Sequence, residues 1–200
     1  MNQRFSMSFR SQCSLPGRDS TVYWTRLLVL LALMIMFPGC AKKKPPEPTF
    51  SYETKGIRIQ FRADEKLNEH ENKSHTLKVI VYQLSAIDPF NNLLKSKDGI
   101  RQLLEGKPFD ATAVAVDTYF LQPRQQQTKV LDRAQDAQWV GVVAGYFDLT
   151  PGLVSKSFEI PVIFQKKGII IISRREEAIV GHLLLHLYFG PYSIHEVSTY

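Results

Sequence analysis

The clearest pattern along the chain is a strict alternation of apolar and polar residues over Gly56–Ala63, in the segment GIRIQFRA. A period of two is that of a strand with one buried face. A second segment, Thr76–Leu84, is rich in β-branched and aromatic residues, which predicts a central strand. Between them, Asp64–His75 holds twelve residues of which Leu67 alone is apolar. This segment has little to bury and predicts a solvated connection.

A helical pattern occurs between Pro89 and Glu105, where large apolar residues recur every three or four positions with a break at Lys97-Asp98-Gly99. Two short helices are expected there, whereas Asp110–Val116 satisfies either period and is left open. Pro123 and the polar run Arg133–Asp136 predict turns. Further strands are expected at Asp117–Leu121, Gln127–Leu131, Gln138–Phe147, Ser157–Phe164, Ile169–Ser173 and Val180–Phe189.

Short strands at about ten-residue spacing with polar turns are typical of sandwiches. The predicted fold is therefore all-β, a two-sheet β-sandwich with a short helical insertion. One folded domain over residues 51–200 is expected, since about 150 residues can bury a sufficient core without staples. Aromatic residues such as Phe61, Tyr82, Phe120 and Phe147 are expected in that core.

Residues 1–39 have the pattern of an export signal rather than of a folded segment. An apolar run of eleven residues, Leu27–Phe37, ends at Pro38-Gly39. Membrane-spanning helices need about 17 to 25 residues, so a permanent anchor is not expected. Basic residues precede the run: Arg4, Arg10, Arg18 and Arg26.

Cys40 is the only cysteine that remains after this signal, since Cys13 lies within it. A lone thiol directly after an apolar run and a small residue is typical of bacterial lipoproteins, in which the cysteine takes a covalent lipid. An uncleaved apolar anchor is the alternative. The remainder of residues 40–50 is rich in lysine and proline and predicts an extended tether. Ala41, where an inner-membrane lipoprotein usually has Asp, favours the outer membrane.

Composition changes this picture little. Hydrophobic residues make up 44% of the chain and charged residues 22%, which excludes disorder, collagen and a polytopic membrane protein. The formal net charge is +6, but four arginines and one acid lie in residues 1–39, so the rest of the chain carries +3. That value is no sign of a nucleic-acid partner, and none is expected.

Few residue patterns in the sequence point to catalysis or metal binding. No glycine-rich phosphate loop or nucleophile elbow occurs. His182 and His186 are spaced for a metal pair on a helix, but HLLLH lacks the glutamate base, and on a strand both rings would share one face without a ligand. Ser193, His195 and Glu196 have the residue types of a triad, but adjacent residues of an extended chain point to opposite faces. No catalytic residue, metal or cofactor is expected apart from the lipid on Cys40.

Two strands carry a family resemblance. Leu77–Leu84 reads LKVIVYQL, and Trp139–Asp148 reads WVGVVAGYFD, with a leucine-rich helical insert and Leu121-Gln122-Pro123 between them. In this order they resemble the TssJ (SciN/VasD) family of type VI secretion lipoproteins. After Asp148 the family usually has a Trp-Arg pair, whereas this chain has Leu149-Thr150. The resemblance therefore does not fix how the last strands align with those of the family.

The resemblance implies a transthyretin-like sandwich, lipid-anchored at the periplasmic face of the outer membrane. Its implied role is structural, in the type VI secretion membrane complex, by binding the periplasmic C-terminal domain of TssM. In the family the first inter-strand loop contacts this partner. The corresponding residues here are Asp64, Glu65, Lys66, Leu67, Asn68, Glu69, His70, Glu71, Asn72, Lys73, Ser74 and His75.

A second reading from a different class stays open at this point. A periplasmic lipoprotein of the same size could hold a lipid or small ligand inside a sandwich or barrel. This carrier would need an apolar cavity, whereas the structural component would need only a partner surface.

Overall fold

The computed structural model describes residues 24–29, 46–167 and 175–199. The chain divides between residues 44 and 45 into two compact units. In the first unit, residues 24–29 are helical and exposed. None of the helices in the described ranges combines the length and the apolar character needed to cross a membrane. The predicted strand at Ile169–Ser173 and the predicted lipidation site at Cys40 lie outside the described residues.

The second unit contains ten strands and two short helices within the described ranges. The strands are β1 Glu53–Ala63, β2 Leu77–Leu84, β3 Ala113–Leu121, β4 Gln126–Arg133, β5 Trp139–Ala144, β6 Ser155–Glu159, β7 Val162–Lys167, β8 Arg175–Val180, β9 Leu183–Phe189 and β10 Ile194–Thr199. The helices are α1 Asp88–Leu93 and α2 Lys97–Leu103.

Two four-stranded sheets form the sandwich. The first sheet has the order β10-β9-β1-β4 and the second β3-β2-β5-β6, while β7 and β8 form a separate two-stranded ribbon. Strand β1 lies inside the first sheet, antiparallel to β4 and parallel to β9. Its alternating pattern is confirmed, since Ile57, Ile59 and Phe61 are buried and the residues between them are exposed. The predicted all-β sandwich with a helical insertion is thus the observed fold.

The helical insertion adds a third layer over the second sheet. Alternate residues of β2 face the helices, where the Tyr82 hydroxyl donates to the Leu103 carbonyl at 2.6 Å and the Lys78 ammonium to the Leu104 carbonyl at 2.7 Å. The Phe90 ring of α1 packs against Gly141 of β5, where an added Cβ would lie 2.7 Å from the ring. Burial on both faces explains why β2 is apolar along almost its whole length.

The polar residues inside the sandwich are held by backbone groups. Gln83 of β2 reaches across to β4, donating to the Asp132 carbonyl at 2.9 Å and accepting from the Ala134 N–H at 2.8 Å. Arg133, expected in a turn, ends β4 and is 2% exposed. Its guanidinium donates to the Ser51 carbonyl at 3.0 Å and to the Gly181 carbonyl at 3.4 Å. Burial lowers its pKa from the ordinary value, opposed by Glu53.

Several predicted boundaries were wrong for identifiable reasons. Ser157–Phe164 is two strands in different sheets, because Pro161 lacks the N–H needed to continue a ladder. Val180–Phe189 is likewise interrupted, at Gly181-His182, and β10 was not predicted. The remaining changes are smaller: β5 ends at Ala144, β3 already begins at Ala113, and the helices break before Lys97, where the Ser96 side chain caps α2.

Candidate partner-binding site

The connection between β1 and β2, here called the 64–75 loop, is attached to neighbouring segments and closed at its base. The Asp64 N–H donates to the Phe189 carbonyl at 2.9 Å and the Glu69 N–H to the Pro191 carbonyl at 3.0 Å, while within the loop the His75 N–H donates to the Leu67 carbonyl at 3.0 Å. Leu67 is fully buried and Asn68 is 4% exposed. The prediction of a solvated connection therefore holds for most of the loop but not for its base, which one leucine and one asparagine fix.

Asn68 joins the loop to two other segments. Its Oδ1 accepts a hydrogen bond from the Phe147 N–H at 3.0 Å, and its Nδ2 donates to the Thr76 carbonyl at 3.3 Å. Its φ of 49° is in the left-handed region, which asparagine tolerates better than most residues. One buried amide thus fixes the path of the loop and the position of the β5–β6 connection.

An aromatic cluster lies beside this amide. The His70 ring stacks on the Phe147 ring with centroids 4.2 Å apart, and the His75 ring meets Phe147 edge-on at 4.8 Å. Phe147 is nevertheless 55% exposed, so its assignment to the core was wrong. Phe120 is also exposed, whereas Phe61 and Tyr82 are buried as expected. The loop therefore presents a fixed aromatic group together with its charges.

Three acidic residues of the loop are held by strand β9 and by two neighbouring connections. The Tyr188 hydroxyl donates to the Asp64 carboxylate, and the Tyr192 hydroxyl donates to Glu69 at 3.0 Å. Glu65 forms an ion pair of 2.9 Å with Arg124 in the β3–β4 connection. The loop thus contacts the β3–β4, β5–β6 and β9–β10 connections, and these four segments form one end of the sandwich, here called the loop end.

The electrostatics of Asp64 follow from these contacts. The hydrogen bond from Tyr188 lowers the pKa of Asp64, and the Lys66 N–H, at 2.7 Å, adds to this effect. The same hydrogen bond raises the pKa of Tyr188. The hydrogen bond that attaches the loop thus also favours the charged form of Asp64.

The tip of the loop is the part that remains available. Glu71, Asn72, Lys73 and Ser74 are all exposed. Glu71 and Asn72 have φ values of 50° and 60°, and His70 and Lys73 exchange two backbone hydrogen bonds of 2.9 Å across this turn. The tip therefore has a defined backbone and exposed charged side chains, of which Glu71 lies 3.9 Å from the His70 ring nitrogen.

The other candidate chemistry is not assembled in the described part of the chain. His182 precedes β9 and lies 3.7 Å from Glu53, while His186 lies within β9. No three histidine, cysteine or acidic side chains of the described residues form a metal-binding group.

The prediction for Ser193 and His195 needs a correction. Ser193 Oγ lies 2.9 Å from His195 Nε2, because residues two apart on an extended chain share a face. Glu196 is the next residue along this strand and takes the opposite face, so the pair has no acid from that position.

Two open hollows bear on the carrier alternative. The first, about 400 Å³, lies on the outer face of the first sheet and is lined mainly by polar residues, among them Gln60, Arg62 and His186. The second lies beside Asn68 and Phe147 at the loop end. Neither has the apolar lining that the carrier would need, and the described space between the sheets is filled by side chains with almost no exposure.

Sequence reasoning identified the 64–75 loop but missed what surrounds it. Phe147, Arg124 and Tyr192 belong to three different connections and come together only through the order of the strands. The family resemblance could have pointed to Phe147, since this residue lies in the WVGVVAGYFD segment that carries it.

Comparison with known proteins supports the family resemblance seen in the sequence. A family model described as type VI secretion lipoprotein (VasD, EvfM, TssJ) matches residues 55–172. No curated protein matches the chain.

Solved structures are also similar. The lipoprotein TssJ1 from Pseudomonas aeruginosa is 18% identical, with 76% of this chain and 98% of that chain covered and a TM-score of 0.49. Lip from Serratia marcescens, a membrane-bound component of the type VI secretion system, is 18% identical over 74% and 98%, with a TM-score of 0.51. A chain in a structure of the TssM C-terminal domain from EAEC is 14% identical over 71% and 97%, with a TM-score of 0.50.

The described fold is a small β-sandwich domain whose loop end carries exposed charged and aromatic side chains. The family match covers more than half of the chain. The chain belongs to the TssJ/VasD family of type VI secretion lipoproteins, which is a family of secretion-system components rather than of enzymes.

Proposed function

We propose that this protein is a structural component of a type VI secretion membrane complex, anchored by a lipid on Cys40 to the periplasmic face of the outer membrane. There it binds the periplasmic C-terminal domain of a TssM protein through the 64–75 loop. The observation that carries this proposal is the loop itself, whose base is fixed by Leu67 and Asn68 and whose charged tip is exposed.

Physical considerations support such a surface. Because Asn68 and the aromatic cluster hold the loop in one conformation, a partner loses little affinity to ordering it. Phe147 supplies an exposed aromatic anchor beside the charges, and aromatic residues dominate binding energy at interfaces. The charges of Glu71 and Lys73 select the partner and set its orientation.

The test exchanges the two tip charges, in the double variant Glu71→Lys and Lys73→Glu. Both side chains are exposed and backbone hydrogen bonds hold the turn. The exchange also removes a solvent-exposed contact of 3.9 Å between Glu71 and His70, which contributes little, so folding and net charge stay unchanged. Affinity for the periplasmic domain of the TssM protein from the same system should fall about tenfold or more. Residues 45–200 serve as the protein in this assay, since they form one compact unit and the core of the described residues lies between Phe50 and Ile194.

A matched control occurs at the end of the helical insertion. Glu105 and Lys107 have the same spacing, are also exposed, and flank Gly106, which like Asn72 has a positive φ. The exchange Glu105→Lys and Lys107→Glu should leave the affinity unchanged. Equal affinities of the tip variant, the control and the parent would remove the loop tip from the interface.

The anchor is tested in cells. Cys40→Ser should release the protein from the membrane fraction once the signal has been cleaved, because a lipid chain on this thiol is the proposed attachment. A cleaved Cys40→Ser protein that stays with the outer membrane as fully as the parent would contradict the proposal.

The absence of a resident metal belongs to the same proposal. Elemental analysis of the purified protein should give no stoichiometric zinc or iron. A bound metal that disappears when His182 and His186 are both changed to Ala would contradict it.

A further inference from the structure

The outer face of the first sheet is polar along its inner strand. Strand β1 gives this face Arg58, Gln60 and Arg62, all of which are exposed, while the residues between them are buried in the core. Neighbouring strands lie on both sides of β1, so its side chains meet those of β4 and β9 across the sheet. The second sheet differs, because the helical insertion packs on its outer face. Side chains of three adjacent strands are therefore available on the first sheet for contact with a solute.

A hollow of about 400 Å³ lies on this face, toward the loop end. In the strand register, Arg62 is opposite Gln126 of β4, and Gln60 lies between Thr128 of β4 and His186 of β9. These five residues line the hollow, which we call the Arg62 hollow. They supply one guanidinium, two amides, one hydroxyl and one imidazole, all of which form hydrogen bonds.

The described lining of the Arg62 hollow carries a positive charge and no acidic residue. Arg62 forms no ion pair with any side chain in the described ranges. A solvated arginine on a flat surface needs no partner, whereas a guanidinium beside two amides and a hydroxyl in one concave site can hold an anion by several hydrogen bonds at once.

The acids around this face are engaged elsewhere or belong to the other face. Asp64 accepts a hydrogen bond from the Tyr188 hydroxyl, and Glu65 forms the ion pair described above. Asp132 is hydrogen-bonded at the opposite end of β4. Glu196 of β10 takes the other face, by its register with β9. An anionic ligand would therefore meet the Arg62 hollow without a carboxylate in its described lining.

We propose that the Arg62 hollow binds a small saccharide that carries one carboxylate or phosphate group. The Arg62 guanidinium pairs with the acidic group, because its planar fork of donors matches two oxygens of a carboxylate or a phosphate. The amides of Gln60 and Gln126 and the hydroxyl of Thr128 hold the sugar. Each of them both donates and accepts hydrogen bonds, as sugar hydroxyl groups also do.

The size and polarity of the hollow select this class of ligand. Its volume is within the range of small-molecule sites, about 300 to 1,000 Å³, and is larger than a single oxyanion needs. An acyl chain would leave the polar groups of the lining without partners. The site is open and polar, so it is distinct from the enclosed apolar cavity of the carrier alternative. The inference does not rest on the function proposed above, because neither the 64–75 loop nor a lipid takes part in it.

The experiment is isothermal titration calorimetry of residues 45–200 with four probes. Glucuronic acid carries a carboxylate, glucose 6-phosphate carries a phosphate, glucose has neither group, and inorganic phosphate has no sugar. At least one of the two acidic sugars should bind with a Kd of about 1 mM or tighter. Glucose and inorganic phosphate should each bind about tenfold more weakly than that sugar, or less. The preference between the acidic sugars identifies the acidic group that Arg62 holds.

Two arginine variants test the assignment. Arg62→Gln should weaken binding of the preferred acidic sugar about tenfold or more, because a neutral amide replaces the guanidinium. Arg58→Gln is the matched control, since Arg58 lies on the same strand and the same face and is equally exposed, but does not line the hollow. Both variants lose one positive charge, so a general effect of net charge is the same in each. Arg58→Gln should stay within about twofold of the parent.

The part of the sugar is tested at Thr128. Thr128→Val keeps the shape and the β-branched character of the side chain but removes its hydroxyl, and should weaken the acidic sugar about threefold or more. Thermal unfolding of each variant is compared with that of the parent, and the arginine pair decides alone where the valine variant is unfolded. The proposal is overturned if neither acidic sugar binds, if glucose or inorganic phosphate binds as tightly, or if Arg58→Gln loses as much affinity as Arg62→Gln.

Discussion

Asn68 allows the attachment of the 64–75 loop to be measured. Replacing it by Gly removes the hydrogen bonds to the Phe147 N–H and the Thr76 carbonyl, while glycine adopts the φ of 49° without strain. Two hydrogen bonds at about 1 kcal/mol each, and the buried groups left without partners, give a loss of about 2 to 3 kcal/mol. Asn68→Ala should lose about 1 kcal/mol more, because alanine resists a positive φ.

Asn72 is the matched control, since it lies in the same loop with a φ of 60° but is exposed. Asn72→Ala therefore measures only the cost of placing alanine at a positive φ, and it should lower the free energy of unfolding by about 1 kcal/mol. For a domain of this size, 1 kcal/mol shifts the melting temperature by about 2 to 4 °C. Asn68→Ala should then melt about 6 to 16 °C below the parent, and Asn72→Ala about 2 to 4 °C below it.

The assay is equilibrium urea unfolding of residues 45–200, supported by thermal melts. The dependence of the unfolding free energy on urea should stay unchanged, because the variants expose the same surface on unfolding. An Asn68→Ala protein no less stable than Asn72→Ala would refute the buried amide as the attachment of the loop. A glycine variant less stable than the alanine variant would refute the positive φ.

Three further outcomes follow from the core and from the loop end. Gly141→Ala should cost about 1 to 3 kcal/mol in urea unfolding, because its Cβ would lie 2.7 Å from the Phe90 ring, whereas Gly145→Ala, with its nearest atom at 3.5 Å, should cost little. Arg133→Lys should destabilise the domain by about 2 kcal/mol or more, since a single ammonium cannot replace a guanidinium that donates to two carbonyls; unchanged stability would contradict this. The lowered pKa of Asp64 means that its contribution is present above the ordinary value of about 4 and is lost as the pH falls through the lower folded value. Asp64→Asn should therefore flatten the acid limb of the stability curve, and an unchanged limb would exclude Asp64 as its source.

The strands with one or two buried faces could be predicted because their neighbours impose a regular pattern. Gly56–Ala63 alternates since only one side of β1 meets the core, and Leu77–Leu84 is apolar since sheet and helices cover both sides of β2. The boundary at Pro161 was missed because β6 and β7 are both rich in strand-forming residues, and only the pairing partners differ. Length and polarity alone favoured a fully solvated connection for the 64–75 loop.

The candidate site could likewise be predicted only where its residues follow one another in the sequence. The 64–75 loop is continuous in sequence and could be selected, whereas the partners of Glu65, Glu69 and Asn68 lie 59, 123 and 79 residues away. Such contacts depend on strand order, which periodicity does not determine. Arg133 was misplaced for a similar reason, since its burial depends on two carbonyls that arrive from distant parts of the chain.

The position of β1 has a mechanical consequence. The strand begins where the N-terminal segment enters the domain and ends directly before the 64–75 loop, so in the proposed arrangement one strand of eleven residues connects the membrane attachment to the partner. Its hydrogen bonds to β4 on one side and to the parallel β9 on the other run along most of its length. A pull between its two ends would load these bonds together in shear rather than open them one at a time. The domain would then transmit tension between a membrane and its partner along a strand that is hydrogen-bonded on both edges.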